Sequence, residues 1–204
     1  MATENPAPFL RLFLALAVPP EVRREIGRAQ ARLQRNSPPG TIRWAPLDQF
    51  HITLKFLGDV PAEHVTALQT SLGPVCAACP ALQLSAEGIG FFPNARKPRV
   101  IWAGARDTGG RLGDLHGRIE EALRWLAPNE LPEKFAGHIT LGRLKPGGHA
   151  GIPKLIELAR NLRERHFGEW RADQVELVRS ELTPVRAEHT AMAAFPLGAW
   201  RATI

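Results

Sequence analysis

Apolar and polar residues alternate with period two over several short stretches of this chain and recur every three to four positions over others, which predicts a mixture of strands and helices. Leu10, Leu12, Leu14 and Leu16 occupy every second position of the run from Phe9 to Val18, which prolines bound on both sides and which reads as a buried strand. Pro19 and Pro20 then open a helical pattern in which Val22, Ile26, Ala29 and Leu33 form an apolar stripe, ended by Ser37, Pro38, Pro39 and Gly40. Thr41 to Trp44 and Phe50 to Leu57 read as strands, Pro61 to Leu72 as a short helix, and Gly73 to Pro80 as a connection. Farther on, Leu82 to Ile89 and Arg99 to Ala103 are predicted strands, and Leu112, Leu115, Ile119, Leu123 and Leu126 mark a long amphipathic helix. After Gly147 and Gly148 the pattern from Ile152 to Arg165 is helical, and Val175 to Leu182 and Thr190 to Leu197 close the chain as strands. The order is that of an α+β protein, and its two halves are similar enough to suggest a weak internal duplication: two α+β lobes meeting at a cleft. With 204 residues and no long linker, a single domain over residues 1–204 is expected.

Composition narrows the partners more than the fold. The chain is 44% hydrophobic and 23% charged, which excludes extended disorder. Twenty-six basic residues against 20 acidic ones give a formal charge of +6 and a pI near 10.1, which favours anionic partners such as nucleic acid or phosphates. The five arginines Arg23, Arg24, Arg28, Arg32 and Arg35 spread around the first helix and read as a solvated face. Only Cys76 and Cys79 are present, too few thiols for a disulfide framework or a four-cysteine zinc site, and a reducing cytoplasm fits best. The apolar run from Phe9 to Val18 is too short to span a membrane and contains Arg11, so no membrane association is expected.

Chemistry enters with a repeat. The tetrapeptide His-Ile-Thr-Leu occurs at His51–Leu54 and again at His138–Leu141, each time inside a β-branched, strand-like stretch. Strand side chains alternate between faces, so each copy displays one imidazole and one hydroxyl together while Ile and Leu face the other way. Two imidazoles whose ordinary pKa lies near neutrality can hold opposite protonation states and act as base and acid on one phosphorus centre, with Thr53 and Thr140 hydrogen-bonding the non-bridging oxygens. Lys55 continues the His51, Thr53 alternation and Arg143 lies five residues beyond His138, so both are candidate substrate-binding residues for phosphate charge, the forked guanidinium being the more specific. Zinc is a competitor for imidazoles, but no acidic or cysteine partner recurs at ligand spacing beside either motif; no metal and no cofactor are expected.

His51-Ile52-Thr53-Leu54-Lys55-Phe56-Leu57-Gly58 and His138-Ile139-Thr140-Leu141-Gly142-Arg143 resemble the paired motifs of the two-histidine (2H) phosphoesterases, in particular the RNA 2′,3′-cyclic phosphodiesterase branch, also called 2′-5′ RNA ligase. Arg11 to Leu16, Arg43-Trp44, Gly88 to Pro93, Arg179 to Leu182 and Phe195 to Leu197 are similar to that branch as well. The resemblance implies a bilobal α+β fold with pseudo-two-fold related lobes, antiparallel sheets lining a central groove and helices outside. It further implies metal-independent opening of terminal RNA 2′,3′-cyclic phosphates to 2′-phosphomonoesters, with His51 as proton donor and His138 as acceptor. Joining of RNA ends through 2′-5′ linkages is the alternative main activity, and a non-catalytic RNA-end-binding module the alternative class. RNA ends, tRNA fragments among them, are the implied partners of a cytoplasmic monomer. One departure stands out: relatives often carry a Gly and then a Tyr after the Leu-x-Pro segment, whereas this chain has no tyrosine and places His189 there, or a nearby aromatic, as the candidate replacement.

The remaining features read as ordinary structure. His64, His116, His149, His166 and His189, each taken alone, are expected to be core or surface histidines. Gly88-Ile89-Gly90 lacks the third glycine of a phosphate loop and reads as a tight strand-end turn. Trp44, Phe91, Phe92 and Trp102 are mostly expected in the core, with a base-stacking role open to some of them.

Overall fold

A computed structural model describes residues 8–107, 109–128, 134–146, 152–183 and 186–198. In chain order the elements are β1 (Phe9–Ala17), α1 (Pro20–Arg35), β2 (Ile42–Trp44), β3 (His51–Pro61), α2 (Val65–Ala77), β4 (Leu82–Phe92), β5 (Val100–Asp107), α3 (Arg111–Ala122), β6 (His138–Leu144), α4 (Ile152–Asn161), β7 (His166–Ala172), β8 (Gln174–Leu182) and β9 (Ala187–Pro196). The strands join in the order β7-β4-β5-β6-β3-β1-β8-β9, with β2 added beside β6, and every strand pair is antiparallel.

The predicted lobes are visible in that order. Read outward from the centre, β6-β5-β4-β7 is the counterpart of β3-β1-β8-β9, and the two halves are stitched by a single residue pair, Ile52 opposite Ile139. Both isoleucines are fully buried, so the residues flanking each of them must face the opposite side of the sheet, into a central groove. The helices cover the outer face and cross over between halves. α1 follows β1 but packs on β7 and α4 in the other half, and α3 follows β5 but packs on β3 and α2. Their apolar stripes, Val22, Ile26 and Leu33 on α1 and Leu112, Leu115 and Ile119 on α3, are buried in one continuous core with Leu12, Leu14 and Leu16 of β1.

β3 runs to Pro61, so the helix expected from Pro61 begins at Val65, and α3 ends at Ala122, short of Leu123 and Leu126; three further differences have a clear physical reason. α2 runs on through Gly73 and Pro74 to Ala77 instead of stopping at Leu72. Leu68, Leu72 and Cys76, four residues apart, are all fully buried, and that stripe outweighs the backbone hydrogen bond lost at Pro74. α4 ends at Asn161, and β7, which was not expected, follows it. Its alternation is broken by Gly168 at φ 137°, so Phe167, Trp170 and Ala172 reach the core at irregular spacing, and only pairing with β4 reveals the strand. Gly88-Ile89-Gly90 is not a strand end: β4 continues to Phe92, and Gly88 at φ 68° makes a bulge within it. Gly147, Gly148 and His149 lie outside the described residues.

Candidate active site

The pair Ile52 opposite Ile139 sets the geometry. In an antiparallel ladder, one step to either side places His51 against Thr140 and Thr53 against His138, so each imidazole faces the hydroxyl of the other motif. All four line one cavity of about 370 Å³. The two histidines are held alike. His51 Nδ1 lies 2.7 Å from the carbonyl oxygen of Gln49, and His138 Nδ1 lies 2.8 Å from that of Ala136, in each case two residues back along the chain. A carbonyl can only accept, so Nδ1 carries the proton in both rings and both Nε2 atoms are left for proton exchange in the groove. Thr53 Oγ1 is 3.1 Å from His51 Nε2 and donates to it in the neutral ring.

The residue after each Thr explains where the candidate cations go. Leu54 is left unpaired by a register shift between β1 and β3, and Leu141 by an equivalent shift between β5 and β6. Both leucines drop into the core, and the bulge resets the alternation, so that the fifth residue after each histidine, not the fourth, returns to the groove face. This brings Arg143 into the groove as expected, where it lies opposite Arg43 of β2. It turns Lys55 away, correcting its reading as a substrate-binding residue. Lys55 stands opposite the buried Leu14, and its ammonium bonds both carboxylate oxygens of Glu120 on α3, at 3.0 and 2.9 Å. Phe56 takes the groove-facing place.

Two contributors were not read from the sequence as site residues, and a third was named there only as a candidate replacement for a tyrosine. Gln30, only 6% exposed, sits among the apolar side chains of α1 and donates to the carbonyl oxygens of Ala45 (2.8 Å) and Leu141 (2.9 Å), fastening the second bulge. Its position on the stripe of Val22, Ile26 and Leu33 was the available signal. Arg43 was noticed only as a point of resemblance. His189, ordinary when taken alone but the candidate replacement for the family's tyrosine, reaches the groove from β9. Its ring centre lies 5.5 Å from that of His51 and 5.0 Å from that of Phe13, and Phe13 stacks on His51 at 4.9 Å. Of the other histidines, His116 stacks on Phe135, His64 packs edge-on to Trp125, and His166 is exposed.

The groove is an environment for an anion. Arg11, Arg43, Arg143 and Arg186 line it, and no Asp or Glu is among the described lining residues. Arg43 and Arg143 stand directly opposite one another, an arrangement that destabilises a sheet unless negative charge lies between them. Burial lowers the pKa of His51 from 6.5 to about 4, opposed by the Gln49 carbonyl and reinforced by the nearby His189 and His138. Burial likewise lowers His138, against the pull of the Ala136 carbonyl and with help from Arg143. Burial thus favours the neutral form of both rings at pH 7.

Two histidines with Nε2 turned to the groove, each on one face with a threonine and framed by guanidinium groups, make an arrangement suited to a phosphate ester. The family model for LigT like phosphoesterases matches residues 16–102. An RNA 2′,3′-cyclic phosphodiesterase of Methanothermobacter thermautotrophicus is 30% identical over 189 residues, covering 92% of this chain and 99% of that one. Another, of Thermus thermophilus, is 34% identical over 194 residues, covering 92% and 90%. The crystal structure of Escherichia coli LigT complexed with 3′-AMP superposes with a TM-score of 0.74 at 25% identity, covering 93% of this chain and 98% of that chain. The chain belongs to the LigT-like phosphoesterases of the 2H superfamily.

Proposed function

We propose that this protein hydrolyses 2′,3′-cyclic phosphates at RNA ends to 2′-phosphomonoesters, and that His51, Thr53, His138 and Thr140 carry the reaction. The observation behind this reading is the antiparallel apposition of the two His-x-Thr pairs, with both Nδ1 positions tied to backbone carbonyls. The activity named for the relatives supports the substrate class. In the order the family resemblance implies, water attacks phosphorus and gives its proton to Nε2 of His138. The bond from phosphorus to the ribose 3′-oxygen breaks, and that oxygen takes the proton of Nε2 on His51. Proton exchange with solvent restores both rings. Thr53 and Thr140 donate to the non-bridging oxygens, and Arg143 offsets their charge.

The lowered pKa of His51 by itself makes it a poor donor, and the phosphate supplies the correction. An anionic oxygen beside Nε2 favours the charged ring, so His51 takes up its proton when substrate binds. The acid–base pair supplies both proton transfers without a metal. The two lobes share their covering helices, which supports a single domain over residues 1–204, acting as a monomer. Cytoplasmic RNA ends, tRNA fragments among them, suit the basic groove.

The direct test is incubation with an oligonucleotide ending in a 2′,3′-cyclic phosphate, in excess chelator, with identification of the product. A 2′-monophosphate is expected, and His51→Ala and His138→Ala should each lower turnover by about 10²- to 10⁴-fold with folding intact. Parental rates in both variants would sink the mechanism; a joined 2′-5′ product would make ligation the main activity.

A further inference from the structure

His138 stands at the head of a row of rings. Phe92 meets it edge-on with ring centres 4.9 Å apart, and Trp102 lies against Phe92 at 5.1 Å. Trp102 stands opposite Thr140 on one side and Gly90 on the other, so it shares the groove face with the second catalytic pair. Its indole is laid on bare backbone. A Cβ at Gly90 would fall 2.2 Å from the ring, so this glycine lets a large aromatic lie flat against the sheet, and a Cβ at Gly104 would meet the Glu87 carbonyl oxygen at 2.7 Å. The indole N–H is buried and has no hydrogen-bond partner among the described residues.

A second cavity, of about 690 Å³, opens from Trp102 and Gly137, the residue before His138. Arg106, Arg160 and Arg163 line it with Glu87 and Glu164, and Glu87 is already paired with Arg106 at 2.5 Å. Two arginines and one glutamate remain outside that pair, a balance that suits a polyanion.

We propose that the Trp102 shelf, with the arginine-lined cavity beyond it, is the subsite for the ribonucleotides adjoining the reacting end, so that the enzyme's substrate is single-stranded RNA rather than a mononucleotide. This rests on the RNA-end reading above. An aromatic plane one ring away from His138, followed by a basic channel, is the combination by which proteins hold single strands with little base preference. The shelf reaches the catalytic groove through Phe92, whose ring meets both His138 and Trp102, and Gly90 beneath Trp102 leaves the indole room to lie flat.

The experiment compares uridine 2′,3′-cyclic phosphate with a trinucleotide ending in the same group. The parent enzyme should favour the trinucleotide. Trp102→Leu should raise the trinucleotide KM by about 5- to 100-fold while leaving mononucleotide kcat/KM within about twofold, and Trp102→Phe should keep most of the preference. Arg160→Ala with Arg163→Ala should flatten the salt dependence of the trinucleotide KM. As a readout independent of turnover, tryptophan fluorescence quenched by a non-hydrolysable trinucleotide should lose that quenching in Trp102→Phe. Equal kcat/KM for both substrates in the parent, or a Trp102→Leu effect that is absent or the same on both, overturns the shelf. Failure of the parent to hydrolyse either substrate overturns the RNA-end reading instead.

Discussion

Burial disfavours the charged rings of His51 and His138, and this has a measurable consequence on binding. A folded-state pKa of about 4 for His51 means that its proton is absent at pH 7; a bound phosphate raises that pKa, so binding between pH 5 and 7 must take up protons. Calorimetric titration of a 2′-nucleoside monophosphate in two buffers of different ionisation enthalpy should show an uptake approaching one proton, lost in His51→Ala. No uptake in the parent would mean that His51 stays neutral and cannot be the donor. The histidine and threonine pairs themselves were legible from their repeat, since strand alternation alone puts them on one face. His189 was legible only through the tyrosine that the resemblance leads one to expect, because a lone imidazole carries no such pattern and its place beside His51 depends on β9 pairing with β8.

At the level of elements, the two leucine bulges decide which side chains reach the phosphate. Simple alternation put Lys55 in the groove; the extra residue at Leu54 turned it to Glu120, while the matching bulge at Leu141 brought Arg143 in. A bulge is set by the neighbouring strand and by what grips its carbonyl, neither of which is local in sequence. For the second bulge that grip is Gln30, 111 residues away from Leu141. Gln30→Leu should therefore destabilise the protein by about 1–3 kcal/mol in urea unfolding, since the Ala45 carbonyl loses its donor in the core. It should also raise KM more than it lowers kcat, because Arg143 is re-aimed while both histidines keep their carbonyl partners. A change in stability with KM intact would show that the bulge holds without the glutamine. β7 and the extension of α2 were missed for the same reason: a glycine break hid the one, and burial of Cys76 overrode the proline signal in the other.

Across the whole molecule, the halves of the sheet meet through one residue pair, yet each is roofed by helices that follow strands of the other. Separating them would strip α1 from β7 and α3 from β3, so neither half has a core of its own. A single cooperative unfolding transition is expected, with coincident midpoints by far-ultraviolet circular dichroism and tryptophan fluorescence; two separated transitions would mean independent lobes. The amino-acid sequence by itself determined the mixed α+β class, most strands and helices, the basic balance and the paired motifs, because each of these is written in local periodicity or composition. The tertiary structure alone decided the register that opposes the motifs at Ile52 and Ile139, the turn of Lys55 away from the groove to Glu120, the hold of Gln30 on the second bulge and the route by which His189 reaches His51. Those outcomes depend on strand register and on buried contacts between residues far apart in the chain, and no local pattern encodes them.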